Sequence, residues 1–238
     1  MYQLKNLLQE NAYPGRGIVL GRDRSGKKAV VVYFIMGRSE NSRNRIFAPT
    51  EDGIRTVAHD PSKMTDPSLI IYHPIRKVGR GLIVTNGDQT DTIRDYILDG
   101  RTFTEALHSR TFEPDEPNYT PRISGLLSPD GSYKLSILKS AEGTPGCCCR
   151  YFFSYDLPPA GEGRFIHTYQ GDGNPLPSFQ GEPVQVALDA PDAKTLADGV
   201  WSWLNAENRV SLFVRYVNLA DGSCEDVICN RHESGRSF

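Results

Sequence analysis

The sequence predicts an α+β fold in which strands outnumber helices. Residues 28–36 are almost continuously apolar, which is typical of a strand that is covered on both faces. Helical spacing occurs in two blocks of the chain, whereas a doubly wound parallel sheet needs a helix after each strand. These observations favour two sheets packed face to face, with the helices on the outside.

The length and charge of the chain restrict its class. Its 238 residues fit one large domain or two small ones, and we predict one domain over residues 1–238 with a frayed polar tail at 230–238. The 27 Lys and Arg side chains are balanced by 29 Asp and Glu. A dedicated duplex-DNA binder usually carries a basic excess, so we expect no nucleic-acid partner.

Membrane and export signals are also missing from the sequence. No run of 18 apolar residues occurs, so we expect no membrane span. Residues 1–10 have the pattern of a short amphipathic helix and lack the apolar segment and the cleavage site of a signal peptide. We therefore expect a cytoplasmic protein.

In the first half of the chain, β-branched apolar runs predict strands and i, i+3, i+4 spacing predicts helices. After the N-terminal helix, the expected strands cover residues 16–21, 28–36, 69–75 and 82–85. Helices are expected over residues 88–98 and 102–110. Thr90 or Asp91 is the expected N-cap of the first of these two helices.

The second half of the chain is rich in strands. Apolar alternation predicts strands at residues 133–138, 150–155, 165–169, 184–188 and 210–219. Many Gly and Pro residues between 158 and 183 predict loops with short strands. A helix is expected over residues 191–205, because Asp192 can start it and a stripe of apolar side chains follows at Leu196, Val200, Trp203 and Leu204.

The cysteines do not form a recognisable framework. Cys147, Cys148 and Cys149 are consecutive, whereas Cys224 and Cys229 lie far downstream. Neither these spacings nor the five histidines fit a zinc site, and an odd count does not suit a set of disulfides. We expect buried, reduced thiols and no metal, with a metal site and a redox role as minor alternatives.

An arginine-rich segment follows the apolar strand. Arg38, Arg43 and Arg45 fall within eight positions, and a guanidinium group matches phosphate or carboxylate oxygens. If the segment is extended, Arg43 and Arg45 point the same way. A solvated basic loop is the simpler interpretation. No aromatic residue lies among these arginines, which favours a small phosphorylated ligand over a nucleic acid.

A tyrosine stands inside the apolar run at residues 71–76. Tyr72 is either a core residue with a bonded hydroxyl or a phenol that donates a proton to a developing oxyanion. The sequence does not decide between these two roles.

Residues 85–92 join an expected strand to an expected helix. Asn86 and Gly87 form a strong turn signal, and Asp88 and Asp91 occupy the start of the helix. Carboxylates at that position disfavour a phosphate. These groups either accept hydrogen bonds from ribose hydroxyls or amides, or simply cap the helix.

Residues 113–122 form an acidic segment with three prolines. The prolines stiffen the segment, and a Glu near apolar walls can have a raised pKa and act as acid or base. An ordinary solvated acidic loop is the alternative. No Gly-x-Gly-x-x-Gly, Walker, Gly-x-Ser-x-Gly or His-Glu-x-x-His sequence occurs, so other common enzyme classes are disfavoured.

Five motifs in order carry a resemblance to a known family. They are Gly-Arg-Gly-Ile-Val-Leu-Gly (15–21), Gly-Arg-Ser…Asn-Arg (37–45), Ile-Tyr-His-Pro-Ile-Arg (71–76), Val-Thr-Asn-Gly-Asp-Gln-Thr-Asp-Thr-Ile (84–93) and Thr-Pro-Arg-Ile (120–123). Together they resemble the archaeal-type IMP cyclohydrolase family over roughly residues 15–126. Downstream of residue 126 the resemblance is loose.

The resemblance implies a fold and a reaction. The fold is a four-layer αββα sandwich similar to that of Ntn hydrolases. The reaction is the last step of purine synthesis, in which the carboxamide nitrogen of 5-formamidoimidazole-4-carboxamide ribonucleotide attacks the formyl carbonyl and water leaves to give IMP. The partners would be this substrate and its product, no cofactor or metal would be needed, and a homo-oligomer is left open.

The resemblance also implies site residues. Arg45, Tyr72 and Glu116 would be catalytic: Tyr72 and Arg45 would stabilise or protonate the oxygen, and Glu116 would move the nitrogen's proton or orient the carboxamide. Glu113 and Asp115 remain alternatives for the acidic role. The phosphate, ribose and base would be bound by Arg38, Asn44, Asn86, Asp88 and Arg122.

Two other functions stay open at this point. An Ntn-type amide hydrolase would need an N-terminal nucleophile, and residue 2 is Tyr, so only cleavage before Cys147 would provide one. A non-catalytic sensor would bind IMP without converting the formamido precursor.

Overall fold

The strands of the computed structural model, which describes residues 1–64 and 66–232, form two antiparallel sheets. The strands are β1 (Arg16–Arg22), β2 (Lys28–Met36), β3 (Arg45–Thr50), β4 (Gly53–Ala58), β5 (Ile75–Val78), β6 (Gly81–Thr85), β7 (Arg122–Leu127), β8 (Tyr133–Ala141), β9 (Thr144–Tyr155), β10 (Glu162–His167), β11 (Val184–Ala187), β12 (Arg209–Asn218) and β13 (Cys224–Asn230). The helices are α1 (Leu4–Glu10), α2 (Glu40–Arg43), α3 (Gln89–Leu98), α4 (Phe103–His108) and α5 (Ala193–Trp203), with a 3₁₀ turn at Pro61–Lys63.

Six strands form one sheet in the order β11-β10-β1-β2-β12-β13. Seven strands form the other in the order β3-β4-β5-β6-β7-β8-β9. Every pair of neighbouring strands is antiparallel. The expected α+β class is therefore confirmed.

Strand β2 shows why the sheets stack. Its side chains alternate between the two faces of the six-stranded sheet, because successive residues of a strand point in opposite directions. Val32 and Phe34 pack with Leu8 of α1 and Val200 of α5. The intervening side chains, such as Tyr33, pack against the seven-stranded sheet. The apolar run that predicted a strand covered on both faces is thus confirmed.

The seven-stranded sheet has its own helical cover. Ile93 of α3 and Phe103 of α4 pack with Ile83 of β6 and Leu138 of β8 on the face that points away from the other sheet. Helices therefore lie on the outer face of each sheet. Among the residues that the structure describes, no helix is both long enough and apolar enough to cross a membrane.

The expected strand at residues 69–75 is wrong for all but its last residue, where β5 begins. The side chain of Thr56 explains the difference. Its hydroxyl donates to the carbonyl of Ile70 at 2.8 Å and accepts from the backbone N–H of Tyr72 at 2.8 Å. These bonds replace a regular ladder between this segment and β4, so Tyr72 lies in an irregular turn.

Residues 37–45 are not extended throughout, so the condition under which Arg43 and Arg45 would point the same way is not met. Ser39 caps the short helix α2 in a reciprocal capping box with Ser42. Arg43 at the end of this helix and Arg45 after it have different surroundings. Arg43 donates to the carbonyl of Gly37 at 2.9 Å, whereas Arg45 begins β3 and is completely buried.

Helix α3 begins at Gln89, one residue before the earlier of the two expected caps. Asp88 occupies the N-cap position and its side chain makes no capping hydrogen bond. Neither Thr90 nor Asp91 is the cap, because both lie inside the helix. Thr90 instead shares a hydrogen bond of 2.6 Å with the hydroxyl of Thr85.

The cysteines are free, as expected, but they are not buried. Cys147 and Cys224 are exposed, and Cys148, Cys149 and Cys229 are half-buried. The consecutive cysteines lie on β9, which is an edge strand of its sheet and has a neighbouring strand on one side only. A strand at an edge leaves its side chains more exposed than a central strand does.

The prediction of a frayed tail at residues 230–238 places the start of the tail too early. Asn230 ends β13 and is buried, and its side chain pairs with both backbone groups of Phe47 on β3. This contact joins an edge of one sheet to an edge of the other. The rest of the expected tail from residue 233 onwards lies outside the described residues.

Candidate active site

One end of the sandwich holds a group of buried charged and phenolic side chains. Arg16 begins β1, Arg45 begins β3, and Tyr72 and Glu113 lie in the segments that precede β5 and β7. Because neighbouring strands are antiparallel, the ends of some strands and the starts of others meet at the same edge. Side chains from four separate parts of the sequence therefore converge between the two sheets.

Tyr72 lies at the centre of this group. Its side chain is buried, and its hydroxyl is 2.8 Å from the hydroxyl of Tyr33 on β2. Burial raises the pKa of the Tyr72 phenol, and the nearby guanidinium groups of Arg45 and Arg16 oppose that increase. The phenol is thus protonated at neutral pH and stands beside positive charge.

Arg45 is the largest side chain that is completely buried. Its Nε donates to the carbonyl of Ser42 at 2.8 Å, but its Nη1 and Nη2 have no hydrogen-bond partner in the described part of the chain. An unpaired buried guanidinium group is costly, so a ligand with oxygen acceptors fits here. Burial, and then the charge of Arg16, lower the pKa of Arg45.

Arg16 belongs to the same group and was not predicted as a site residue. Burial alone would lower its pKa, but the phenols of Tyr13 and Tyr169 and the carboxyl of Glu113 outweigh burial and raise it. The segment that holds it is tightly packed. Gly15 has a positive φ of 77°, and a side chain there would collide with Thr168 and Tyr169. The sequence signal that could have indicated Arg16 as a site residue is its position directly after Gly15.

Glu113 supplies the acidic group of the site. Its side chain is only 3% exposed, and its backbone N–H donates to the carbonyl of Thr120 at 2.9 Å. Burial raises the pKa of Glu113 to about 7, although Arg16 and Arg122 act in the opposite direction. A carboxyl that titrates near neutrality can both accept and return a proton under ordinary conditions.

The turn at Gly87 shows how closely these groups approach. A Cβ atom at Gly87 would collide with Nη1 of Arg122, would lie 2.6 Å from Oε1 of Gln89 and would lie 3.5 Å from Oε1 of Glu113. The missing side chain of Gly87 therefore leaves the space that Arg122 and Gln89 occupy, next to Glu113.

Asp115 has a different role from Glu113. Both oxygens of its carboxylate accept from Thr120, one from the backbone N–H at 2.6 Å and the other from the hydroxyl. The Thr120 hydroxyl is also bonded to that of Tyr169. Asp115 thus fixes the shape of the acidic segment and has its hydrogen-bonding capacity occupied.

Glu116, the expected catalytic acid, lies on the outside of this segment. Its side chain is exposed and lines a groove of about 250 Å³ together with Phe112, Tyr119 and Cys148. The structure brings Arg45 and Tyr72 together as expected, but it places Glu113, and not Glu116, beside them.

Two of the expected binding residues are occupied by backbone contacts. The amide of Asn44 accepts from the N–H of Asp60 and donates to its carbonyl, both at 2.8 Å. The amide of Asn86 accepts from the N–H of Ile123 at 2.8 Å and donates to the carbonyl of Pro121 at 2.9 Å. These amides hold the segments that carry the site together.

The charged binding candidates differ in exposure: Arg122 is buried, whereas Asp88 and Arg38 reach solvent. Nη1 of Arg122 is 2.7 Å from Asp88, which also pairs with Arg110 at 2.5 Å. Arg38 is partly exposed, and its guanidinium group pairs with Asp172 at 2.5 Å and lies 5.1 Å from the ring centre of Tyr13. Arg38 is thus the candidate that a phosphate can reach from solvent.

The arrangement can move protons and stabilise an anion. Two guanidinium groups, a phenol and a carboxyl of nearly neutral pKa share one buried end of the sandwich. In the described residues, no three His, Cys, Asp or Glu side chains are placed to hold a metal ion. The guanidinium, phenol and carboxyl groups suit an enzyme that performs acid–base chemistry on a substrate with carbonyl or anionic oxygens.

Comparison with known proteins gives the family. The chain belongs to the IMP cyclohydrolase-like proteins, whose family model matches residues 13–222. A Methanopyrus kandleri protein named IMP cyclohydrolase is 33% identical over 170 residues, which are 70% of this chain and 79% of that protein.

Two further relatives carry the same name. The Methanococcus aeolicus protein is 33% identical over 51% of this chain and 61% of its own length. The Halobacterium salinarum protein is 30% identical over 54% of this chain and 63% of its own length. The matches to these two thus span less than two thirds of each relative. The expected family resemblance is confirmed.

Proposed function

We propose that this protein is an IMP cyclohydrolase, which closes the ring of 5-formamidoimidazole-4-carboxamide ribonucleotide and releases water. The observation that carries the proposal concerns Nη1 and Nη2 of Arg45, which have no hydrogen-bond partner among the described residues. They lie near the Tyr72 phenol, and Glu113 belongs to the same buried group. The family and the names of its relatives agree with this activity.

In the first step, the carboxamide nitrogen attacks the formyl carbon. A bond forms between them, and the electron pair of the carbonyl π bond moves to its oxygen. Arg45 stabilises the developing negative charge, and Tyr72 gives that oxygen a proton. Glu113 takes a proton from the attacking nitrogen, which is a poor nucleophile while it keeps both of its protons. The product of this step is a neutral cyclic carbinolamine.

In the second step, the hydroxyl leaves as water. Glu113 returns its proton to the departing hydroxyl, and the Tyr72 phenolate takes the proton of the former formamide nitrogen. The carbon–oxygen bond breaks and a carbon–nitrogen double bond forms, which gives IMP. Both side chains end in their starting states, so the cycle needs no other proton donor or acceptor.

The site must also hold the nucleotide so that its two reacting groups meet. We assign the 5′-phosphate to Arg38, because this guanidinium group lies at the rim and its partner Asp172 is exposed. Arg122 and Asp88 lie nearer Glu113 and suit the ribose or base. Holding both ends removes rotational freedom that opposes ring closure.

Other features of this proposal come from the sequence. We propose that residues 1–238 work as one domain and that the two sheets with their outer helices are the four-layer sandwich of Ntn hydrolases. A cytoplasmic location remains a prediction. The amide-hydrolase alternative is not favoured, because its required residue, Cys147, lies on edge strand β9 and not among the buried charged side chains.

The test supplies purified protein with the formamido ribonucleotide and follows the absorbance of the purine ring. We expect turnover by the native protein. We expect Tyr72→Phe to lower kcat by about 10²- to 10⁴-fold while nucleotide affinity changes little. Binding of IMP without turnover would support the sensor instead, and native turnover by Tyr72→Phe would remove that phenol from the mechanism.

A further inference from the structure

A second buried phenol lies behind Tyr72. Tyr33 is on the central strand β2, is completely buried and stacks on Phe47 with 5.6 Å between ring centres. Among residues 1–64 and 66–232, the Tyr72 hydroxyl, at 2.8 Å, is the only hydrogen-bond partner of the Tyr33 hydroxyl. A buried hydroxyl with one partner must give its proton to that partner or leave the proton unbonded.

We propose that Tyr33 is a positioning residue for the cyclohydrolase reaction: its hydroxyl donates to the oxygen of Tyr72 and leaves the proton of Tyr72 free to point at the substrate. The proposal rests on the function proposed above. It assigns Tyr33 no contact with the nucleotide, so Tyr33 acts only through Tyr72.

The surroundings of the two phenols set the direction of this bond. Arg16 on β1 and Arg45 on β3 face both hydroxyls, and Glu113 faces Tyr72 from the acidic segment. Burial raises the pKa of Tyr33 well above its ordinary value, and interaction with Tyr72 raises it further. Tyr33 therefore keeps its proton, and Tyr72 is the phenol that gives its proton away.

The same hydrogen bond stabilises the intermediate state. When Tyr72 passes its proton to the substrate oxygen, negative charge remains on the Tyr72 oxygen. Tyr33 then donates to a phenolate instead of a neutral phenol, and charge-assisted hydrogen bonds are roughly twice as strong. Tyr33 thus makes Tyr72 a stronger acid at the moment of proton transfer.

The kinetic test removes only the hydroxyl. We expect Tyr33→Phe to lower kcat by about 10- to 100-fold and to change KM by less than about twofold. In a Tyr72→Phe background, the same change should cost no further activity, because its effect passes through Tyr72. Tyr133→Phe is the matched control, because Tyr133 is also buried between the sheets. It begins β8, whereas Leu138, the residue opposite Arg122, lies towards the other end of that strand.

A second measurement does not depend on turnover. Difluorotyrosine at position 72 lowers the phenol pKa into an accessible range, and fluorine NMR follows its ionisation. We expect Tyr33→Phe to move this midpoint to higher pH and Tyr133→Phe to leave it unchanged. An unmoved midpoint, or full activity in Tyr33→Phe, overturns the role of Tyr33. Failure of the native protein to close the ring refutes the proposed function instead, and the NMR titration still reports on the hydrogen bond.

Discussion

Glu113→Gln separates what the site needs for catalysis from what the fold needs for stability. The carboxyl of Glu113 is buried, and its pKa rises from 4.5 to about 7 on folding. At about 1.4 kcal/mol for each unit, ionised Glu113 costs the folded state on the order of 3 kcal/mol. Glutamine has nearly the same shape and carries no charge, so the variant avoids this cost.

The sign of the pH dependence follows from the raised pKa. Below pH 4.5, Glu113 is protonated in both states and imposes no penalty. Between pH 4.5 and about 7, the unfolded chain loses this proton while the folded protein keeps it, so the free energy of unfolding falls as pH rises. Above pH 7 the penalty is complete. The stability advantage of Glu113→Gln should therefore grow over this window and then stay constant.

Urea denaturation at several pH values between 4 and 8.5 measures this difference. Glu116→Gln is the control, because Glu116 is exposed and lies in the same acidic segment. We expect the control to match the native protein at every pH. A Glu113→Gln advantage that does not change with pH, or a loss of stability at pH 8, would refute the reasoning.

Glu113→Gln should lower the activity of the protein although it raises its stability. Glutamine cannot take the proton of the attacking nitrogen, so kcat of Glu113→Gln should fall by about 10²- to 10⁴-fold. For the native enzyme, kcat/KM should fall as pH decreases through about 7, because protonated Glu113 cannot act as the base. A flat profile between pH 5 and 8 would exclude Glu113 as that base.

Three other substitutions test the remaining assignments. Glu116→Gln should retain native turnover in a steady-state assay, and a large loss would return the acidic role to Glu116. Gly87→Ala should lower kcat/KM by at least about tenfold, because its methyl group displaces the side chains of Arg122 and Gln89, whereas Gly146→Ala, which has open space around it, should have no effect. Asn230→Ala should lower the free energy of unfolding by about 3 kcal/mol in urea, since both backbone groups of Phe47 lose their partner; an unchanged midpoint would contradict this.

The sequence predicted which types of side chain the candidate site contains, but it did not predict the position of every one of them. The five ordered motifs led to Arg45 and Tyr72, and the structure places both in one buried group. The resemblance gave the acidic role to Glu116 and kept Glu113 and Asp115 as alternatives, because a segment with three prolines does not reveal which acidic side chain turns inward. Burial decides that choice, and it depends on the hydrogen bonds that Thr120 makes with Asp115 and with Tyr169.

Arg16 and Tyr33 illustrate a second limit. Each stands in a strand that was predicted correctly, but a strand pattern shows only which side chains share a face. Their partners, Glu113 and Tyr72, are about 97 and 39 positions away in the chain. Only the order of strands in the two sheets brings such distant residues into contact.

The sequence by itself determined the α+β class, the strands with apolar patterns and the family, because hydrophobic periodicity and local motifs are properties of short segments. The tertiary structure decided the conformation at residues 69–74, where the side chain of Thr56 from another strand holds the backbone through hydrogen bonds. It also decided the pKa of Glu113, because the loss of water and the nearness of other charges depend on the whole packed molecule.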